Sequence, residues 1–232
     1  MEEEVLSNAA AIARFAHERQ ITRLVHFTPF LNLLGIFDLR GIKPRDEISA
    51  YAQEHKDEDL MAYISWNDKL RLDRRTDCVN LSIQRINAPL FSRFKDGFES
   101  GEPWCILEID PSCLQKDGVM FTVANAAATA VRQNGTAGGI AGLRALYQNV
   151  ITVPKFQGVS IYRRTSRTPP SCTTSVQAEV LYPGEIPLEK IMGMIFESEE
   201  AATRAKVMLQ VTHPDLKLPP VKVAPAEFGA YA

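Results

Sequence analysis

Ile21-Thr22-Arg23-Leu24-Val25-His26-Phe27-Thr28 alternates apolar and polar side chains and is rich in β-branched residues, the pattern of a short β-strand. Successive side chains of a strand point to opposite faces, so His26 and Thr28 share one face. Upstream, Val5, Ala9, Ile12, Ala13, Phe15 and Ala16 recur at roughly helical spacing over residues 4–20, with Ser7-Asn8 as a candidate cap. Downstream, Phe30 to Phe37 reads as a helix that stops before Gly41, with Leu31, Leu34 and Ile36 on its apolar side. Residues 43–62 are charged and irregular and read as a solvated loop–helix connection.

Further strands are predicted at Cys78-Val-Asn-Leu-Ser-Ile83, at Trp104-Cys-Ile-Leu-Glu-Ile109 before an Asp-Pro turn, and at Val119–Val123. The glycine-rich stretch from Asn134 to Gly142 has no strong period and reads as a loop or weak helix. Val159–Tyr162 and Val176–Leu181 read as strands around a polar loop. Ile186–Ile191, Met194–Phe196 and a helix-like 198–209 follow. The tail at about 213–232 carries Pro214, Pro219, Pro220 and Pro225, and is expected to run along the surface or fray. Short strands with interspersed helices and no regular βαβ alternation indicate an α+β fold, read as a single domain over residues 1–232.

Composition limits the function classes. With 232 residues, 45 % hydrophobic and 23 % charged, the chain can bury a full core without staples. A net charge of −2 excludes a general polycation that coats nucleic acid, but leaves room for a local basic groove. No run of 18 apolar residues is present, so no membrane helix is expected. Met1-Glu2-Glu3-Glu4 lacks the basic-then-apolar order of a signal peptide, which predicts a soluble, cytoplasmic protein. Cys78, Cys105, Cys113 and Cys172 match no zinc or redox spacing and read as reduced structural thiols. His17, His26, His55 and His213 form no ligand pair, so no metal is expected.

Three constellations could carry chemistry. His26 and Thr28 together offer a ring nitrogen and a hydroxyl, suited to a ribose and its phosphate; a satisfied histidine at a strand edge is the plainer alternative. On a strand, Gln177 and Glu179 would share a face, where a fixed carboxylate can act as general base or stabilise a developing cation. A salt-bridged surface glutamate competes with that reading. Tyr162-Arg163-Arg164-Thr165-Ser166-Arg167 concentrates arginines, hydroxyls and an aromatic, the usual means of holding a phosphate backbone and stacking a base. A solvated basic loop would look the same. Gly135-Thr-Ala-Gly-Gly-Ile-Ala-Gly142 fits no phosphate-loop pattern, and no G-x-S-x-G elbow occurs.

Taken in order, His26-Phe-Thr28, Asn32-Leu33, Arg71-Leu-Asp73, Asn80-Leu-Ser-Ile83, Asn125-Ala126 and Thr173-Thr-Ser-Val-Gln-Ala-Glu-Val-Leu181 resemble the DarT family. These are bacterial toxins that ADP-ribosylate DNA bases from NAD. The resemblance spans about residues 20–200. It implies an ADP-ribosyltransferase fold, with central strands split around an NAD cleft and peripheral helices. It also implies NAD as co-substrate, bound by His26, Thr28, Asn32 and Arg71. Arg71 would lie near the pyrophosphate and the reacting centre, where a permanently charged guanidinium suits phosphate oxygens. Glu179 matches the catalytic glutamate. Residues 155–176 correspond to a substrate-recognition loop, which makes Arg163, Arg164, Arg167 and Tyr162 candidate DNA contacts. Tyr162, Asn87 and Asn125 are further candidates for contacts to the base or support of the site, without an assigned role.

The implied mechanism follows from charge: departure of nicotinamide leaves an oxocarbenium-like ribose carbon, which a nearby carboxylate stabilises while taking a proton from the attacking base. A stacked base could not reach the site, so the DNA should be single-stranded. The chain lacks the aromatic-rich strand of the thymine-modifying branch and looks more like the guanine-modifying branch. The resemblance implies a cognate antitoxin of NADAR or macrodomain type. Two rivals remain: an NAD-dependent transferase acting on protein or RNA, for which Gln177-Ala-Glu179 also fits, and a catalytically silent nucleic-acid-binding module.

Overall fold

The computed structural model describes residues 7–55, 73–97, 102–128, 131, 136–155 and 157–229. Among the described residues six helices run in chain order: α1 (Asn8–Glu18), α2 (Asn32–Asp38), α3 (Arg45–His55), α4 (Ala88–Asp96), α5 (Gly139–Ala145) and α6 (Glu199–Thr212). One eight-stranded sheet organises the fold. It contains β1 (Leu24–Pro29), β3 (Cys78–Ile83), β4 (Trp104–Ile109), β5 (Met120–Thr122), β6 (Thr136–Gly138), β9 (Glu179–Pro183), β11 (Ile191–Phe196) and β12 (Val221–Val223). The spatial order is β12-β11-β4-β1-β3-β9-β5-β6, antiparallel except for the β11–β12 pair. Two small ribbons stand apart: β2 (Gly41–Ile42) with β10 (Ile186–Pro187), and β7 (Val150–Pro154) with β8 (Val159–Arg163).

Both faces of the sheet are covered. On one, Ile12 and Phe15 of α1, Leu33 and Phe37 of α2, Leu143 of α5 and Leu209 of α6 pack on Leu24, Leu81, Leu107 and Val180. On the other, Phe91 of α4 and Phe228 of the tail cover Val25, Trp104, Ile106 and Ile195. Each such side chain taken from water contributes roughly 1.5–3 kcal/mol before entropy is counted. Because β4 lies between two covered faces, all six of its residues are buried, which its alternating sequence did not indicate.

Local signals explain the ends of several elements. Ser7 starts α1 with its hydroxyl accepting the Ala10 N–H at 3.3 Å, and Ser198 does the same for Ala201 of α6 at 3.2 Å. The predicted strand at 176–181 is shorter than expected: Gln177 lies in a turn closed by Ala178 N–H to the Ser175 carbonyl, and β9 begins only at Glu179. Within the glycine-rich stretch, Thr136–Gly138 forms an edge strand and α5 follows. Gly139 turns the chain at φ +65°, and Gly142 lets the helix approach the Ala137 carbonyl so closely that a Cβ would lie 2.3 Å from its oxygen.

The proline-rich tail, as far as residue 229, runs along the surface and is anchored there. Residues Val221–Val223 add an edge strand beside Met194–Phe196, and Phe228 is buried. A charged cluster fastens it. Glu108 accepts from Arg23 at 2.7 Å and from Lys222 at 2.8 Å, and Arg23 also reaches Glu227 at 2.8 Å. Gly193 leaves the space for that carboxylate, since a Cβ there would lie 2.5 Å from a Glu108 oxygen. Burial alone would push the Glu108 carboxyl up, but the Lys222 ammonium and Arg23 guanidinium hold it below its ordinary value.

The four cysteines are buried and free. Burial pushes the Cys78 thiol up to about 11, so it stays protonated and unreactive despite the neighbouring Arg75 guanidinium.

Candidate active site

The sheet opens at its centre. β1 pairs with β4 along its whole length, but with β3 only at Leu24–Ile83 and Val25–Ser82. Beyond Val25 the two strands part, and a side chain takes over the interrupted ladder. His26 Nδ1 lies 3.0 Å from the Asn80 carbonyl oxygen. A carbonyl can only accept, so Nδ1 carries the proton and the ring is fixed in orientation.

Into this split opens a cleft of about 530 Å³. On the β1 side it is lined by His26, Thr28 and Asn32, and the last two are tied together: Asn32 Nδ2 donates to Thr28 Oγ1 at 3.0 Å. Lys43 of the chain after β2 also lines it and is paired with Glu185. Asp73 and Asn80 line the β3 side, with Asn80 Nδ2 donating to Asp73 at 3.3 Å. Gln177, Glu179 and Asn125 complete the wall.

Glu179 is 4 % exposed, and its Oε2 accepts the backbone N–H of Ala126 at 2.9 Å. It opens β9 opposite Thr122, whose hydroxyl donates to the Ala124 carbonyl and holds the turn that presents Ala126. A buried carboxylate fixed in this way can stabilise positive charge at close range, where the low dielectric strengthens the interaction.

One wall was hidden in the sequence. Asn87, Pro89, Leu90, Arg93 and Phe94 of α4 and its cap line the cleft on the sheet face to which Val25 and Phe27 also belong. Asn87 is 1 % exposed and caps α4 through Oδ1, which accepts the Leu90 N–H at 3.2 Å. Its Nδ2 is buried with no hydrogen-bond partner among the described residues. A donor left so costs about 1–3 kcal/mol, and its position in a cleft wall suits it to a ligand oxygen.

The remaining predicted site residues that the structure describes fall outside the cleft wall. Arg71 lies outside the described residues. Tyr162 is not in the cleft wall; its hydroxyl donates to Gln177 Oε1 at 3.0 Å, so it steadies a residue that is. Arg164 is occupied by its own loop, donating to the Cys172 carbonyl at 2.7 Å and the Pro169 carbonyl at 2.8 Å. Arg163, at the end of β8, and Arg167 are exposed. Among the described residues, no group of three His, Cys, Asp or Glu is placed to hold a metal.

The family model described as "DarT: ssDNA thymidine ADP-ribosyltransferase, DarT" matches residues 25–231, and the chain belongs to this family. Among solved structures it resembles Thermus sp. 2.9 DarT in complex with NAD+ (TM-score 0.54, 14 % identity, covering 90 % of this chain and 98 % of that one). The same protein in complex with ADP-ribosylated ssDNA gives a TM-score of 0.53 at 15 % identity, covering 90 % and 97 %. Thermosipho africanus DarTG in complex with ADP-ribose gives 0.53 at 16 %, covering 89 % of this chain and 51 % of that one. At such identities the likeness establishes the fold. A search among curated proteins found no match.

Proposed function

We propose that this chain transfers ADP-ribose from NAD to a base of single-stranded DNA, with release of nicotinamide. The observation that carries the reading is the placement of a buried glutamate, Glu179, in the same cleft as His26, Thr28 and Asn32 in a chain of the DarT family. His26, Thr28 and Asn32 hold the adenosine side of NAD, together with Arg71 at the pyrophosphate. Glu179 faces the ribose carbon that carries nicotinamide. As that glycosidic bond breaks, its electron pair leaves with nicotinamide, neutralising the pyridinium, and Glu179 balances the charge on the sugar. A base nitrogen then bonds to the same carbon, and its proton passes to Glu179 and on to water. Holding both reactants in one cleft removes much of the entropic barrier.

The acceptor is read as guanine, on the absence of the aromatic-rich strand that marks the thymine branch; β3 carries Asn80-Leu-Ser-Ile83 instead. The matching family model is described for thymidine, so the base is the sharpest point to test. Modified bases no longer template normally, which supports a toxin in a toxin–antitoxin pair acting in the cytoplasm. A glycohydrolase antitoxin, of NADAR or macrodomain type, would remove the adduct. Single strands lacking guanine, or lacking thymine, incubated with NAD and read by mass decide the base. Guanine is supported if only strands that contain it gain ADP-ribose. Modification of guanine-free strands would replace it with thymine, and nicotinamide release without a DNA adduct would point to a protein or RNA acceptor.

Asn87 gives a second test of the cleft. Its open Nδ2 is read as the donor to a carbonyl oxygen of the ring seated against Leu90 and Phe94. Asn87→Asp keeps the cap acceptor of α4 but removes the donor. The expected result is a KM for NAD or DNA raised about tenfold, the kinetic equivalent of one hydrogen bond of roughly 1.4 kcal/mol, with the melting temperature little changed. Unchanged KM values for both substrates would remove Asn87 from the site.

A further inference from the structure

We infer that a patch of arginines outside the cleft, built on α1, α5 and the loop after β8, is the track for the phosphodiester backbone of the acceptor strand. The inference rests on the reading of the cleft as a DNA-modifying site. The patch is organised by two abutting rings, Phe15 of α1 and Tyr147 after α5, packed edge to face at 5.4 Å. Three guanidinium groups surround them. Arg19 lies 5.3 Å from the Phe15 ring and 5.1 Å from that of Tyr147, Arg144 lies 5.9 Å from Phe15, and Arg164 lies 5.5 Å from Tyr147.

The chain is acidic overall, and many of its cations are paired, yet no carboxylate forms an ion pair with Arg19, Arg144 or Arg164 among the described residues. Burial first, then the Arg19 guanidinium and more weakly that of Arg85, holds the Arg164 guanidinium below its ordinary value. Folding gathers three guanidinium groups around two rings with no carboxylate paired to them among the described residues, a cluster of like charge that an anion would complete. Arg164 spends its N–H groups on the carbonyls of its own loop and adds only its charge, whereas Arg19 and Arg144 offer their guanidinium edges to phosphate oxygens, and such a planar fork grips two at once.

Topology places this patch beside the chemistry. α1 leads into the start of β1, Arg85 follows the end of β3, and β9 begins at Glu179 after the loop that Arg164 braces. In an antiparallel arrangement β1 starts, β3 ends and β9 starts at one edge of the sheet. Thr28, Asn32 and Asp73 lie towards the opposite end of the split. NAD enters along the split from that end, and the DNA backbone crosses the arginine end, delivering one base to Glu179. Arg163, opposite Val150 at the foot of the β7–β8 ribbon, extends the same track.

The test uses Arg19→Gln/Arg144→Gln, which spares Arg164 and its loop, and the charge-preserving Arg19→Lys/Arg144→Lys. Fluorescence anisotropy with a labelled single strand is measured across a salt series, with NAD binding and melting temperature as controls. Every phosphate that the variant no longer neutralises should flatten the slope of log K against log salt by about 0.7, so the glutamine pair is expected to lose about 1.4 in slope and at least tenfold in affinity. The lysine pair should keep most of the slope, and NAD binding should not move. If the wild type modifies single-stranded DNA and the glutamine pair binds it with the wild-type slope and affinity, the track is overturned while the activity stands. If the wild type neither binds nor modifies single strands, both fall.

Discussion

Glu179→Gln is expected to lower the rate of ADP-ribosyl transfer to single-stranded DNA by about a thousandfold, with NAD binding nearly intact. The amide has the shape of the acid and can still accept the Ala126 N–H, so the turn that holds it should survive. What it lacks is the negative charge and the proton acceptor. Both matter most as the nicotinamide bond breaks, when the positive charge moves from the pyridinium ring onto the sugar carbon that Glu179 faces. The loss should therefore fall on kcat rather than on KM for NAD. Burial enlarges the effect, since a carboxylate that is 4 % exposed acts through little water. Glu179→Asp withdraws the same charge by one methylene and should fall between the two. A Glu179→Gln rate within threefold of wild type would show that the carboxylate does not balance the charge of the reacting sugar.

The largest effect on stability is expected at Arg23. Arg23→Met keeps much of the side-chain stem but leaves Glu108 with Lys222 and removes the ion pair from Arg23 to Glu227 of the tail. Removing one partner of a buried ion pair costs about 3 kcal/mol, which in a domain this size lowers the melting temperature by roughly 6–12 °C. The pH dependence has a fixed sign. The folded state holds the Glu108 carboxyl below its ordinary value, so Glu108 contributes stability above its unfolded pKa and loses it as pH falls through the lower folded one. Glu108→Gln should therefore flatten the acid side of the stability curve below the ordinary carboxylate value of 4.5. A melting temperature for Arg23→Met within 2 °C of wild type, or an unchanged acid limb in Glu108→Gln, would remove this cluster as the fastener of the tail.

Strands whose pattern is local were legible in the sequence. Cys78–Ile83 and Trp104–Ile109 lie where alternation placed them, and Ser7 caps its helix as expected. The pairing of strands is not a local property, so the central split between β1 and β3 could not be read from either strand alone. It was available only through the family resemblance. The tail was legible only in part for the same reason: its prolines suggested a segment along the surface or frayed, but not that Lys222 and Phe228 find partners far away in sequence, at Glu108 and in the cluster around Trp104. Gly193 carries no local signal, and its role follows only from its place beside the Glu108 carboxylate. For the site, His26, Thr28, Asn32 and Glu179 were nameable from short motifs, and the fold brings all four to one cleft. Asn87 had no motif, because its significance lies in a missing partner rather than in its neighbours along the chain. The arginine loop was half legible. Its charge was visible, but not that Arg164 would be spent on the carbonyls of Pro169 and Cys172, nor that Arg19 and Arg144 would join it from two helices.

The central claim is tested most directly by incubating the protein with NAD and a mixed-sequence single-stranded oligonucleotide, then measuring the intact mass of the DNA. The account predicts an oligonucleotide heavier by one ADP-ribosyl unit, an equal amount of free nicotinamide, and neither product with Glu179→Gln. Unmodified DNA with NAD unbound would contradict it, and would leave the chain a member of its family by fold but a binding module by function.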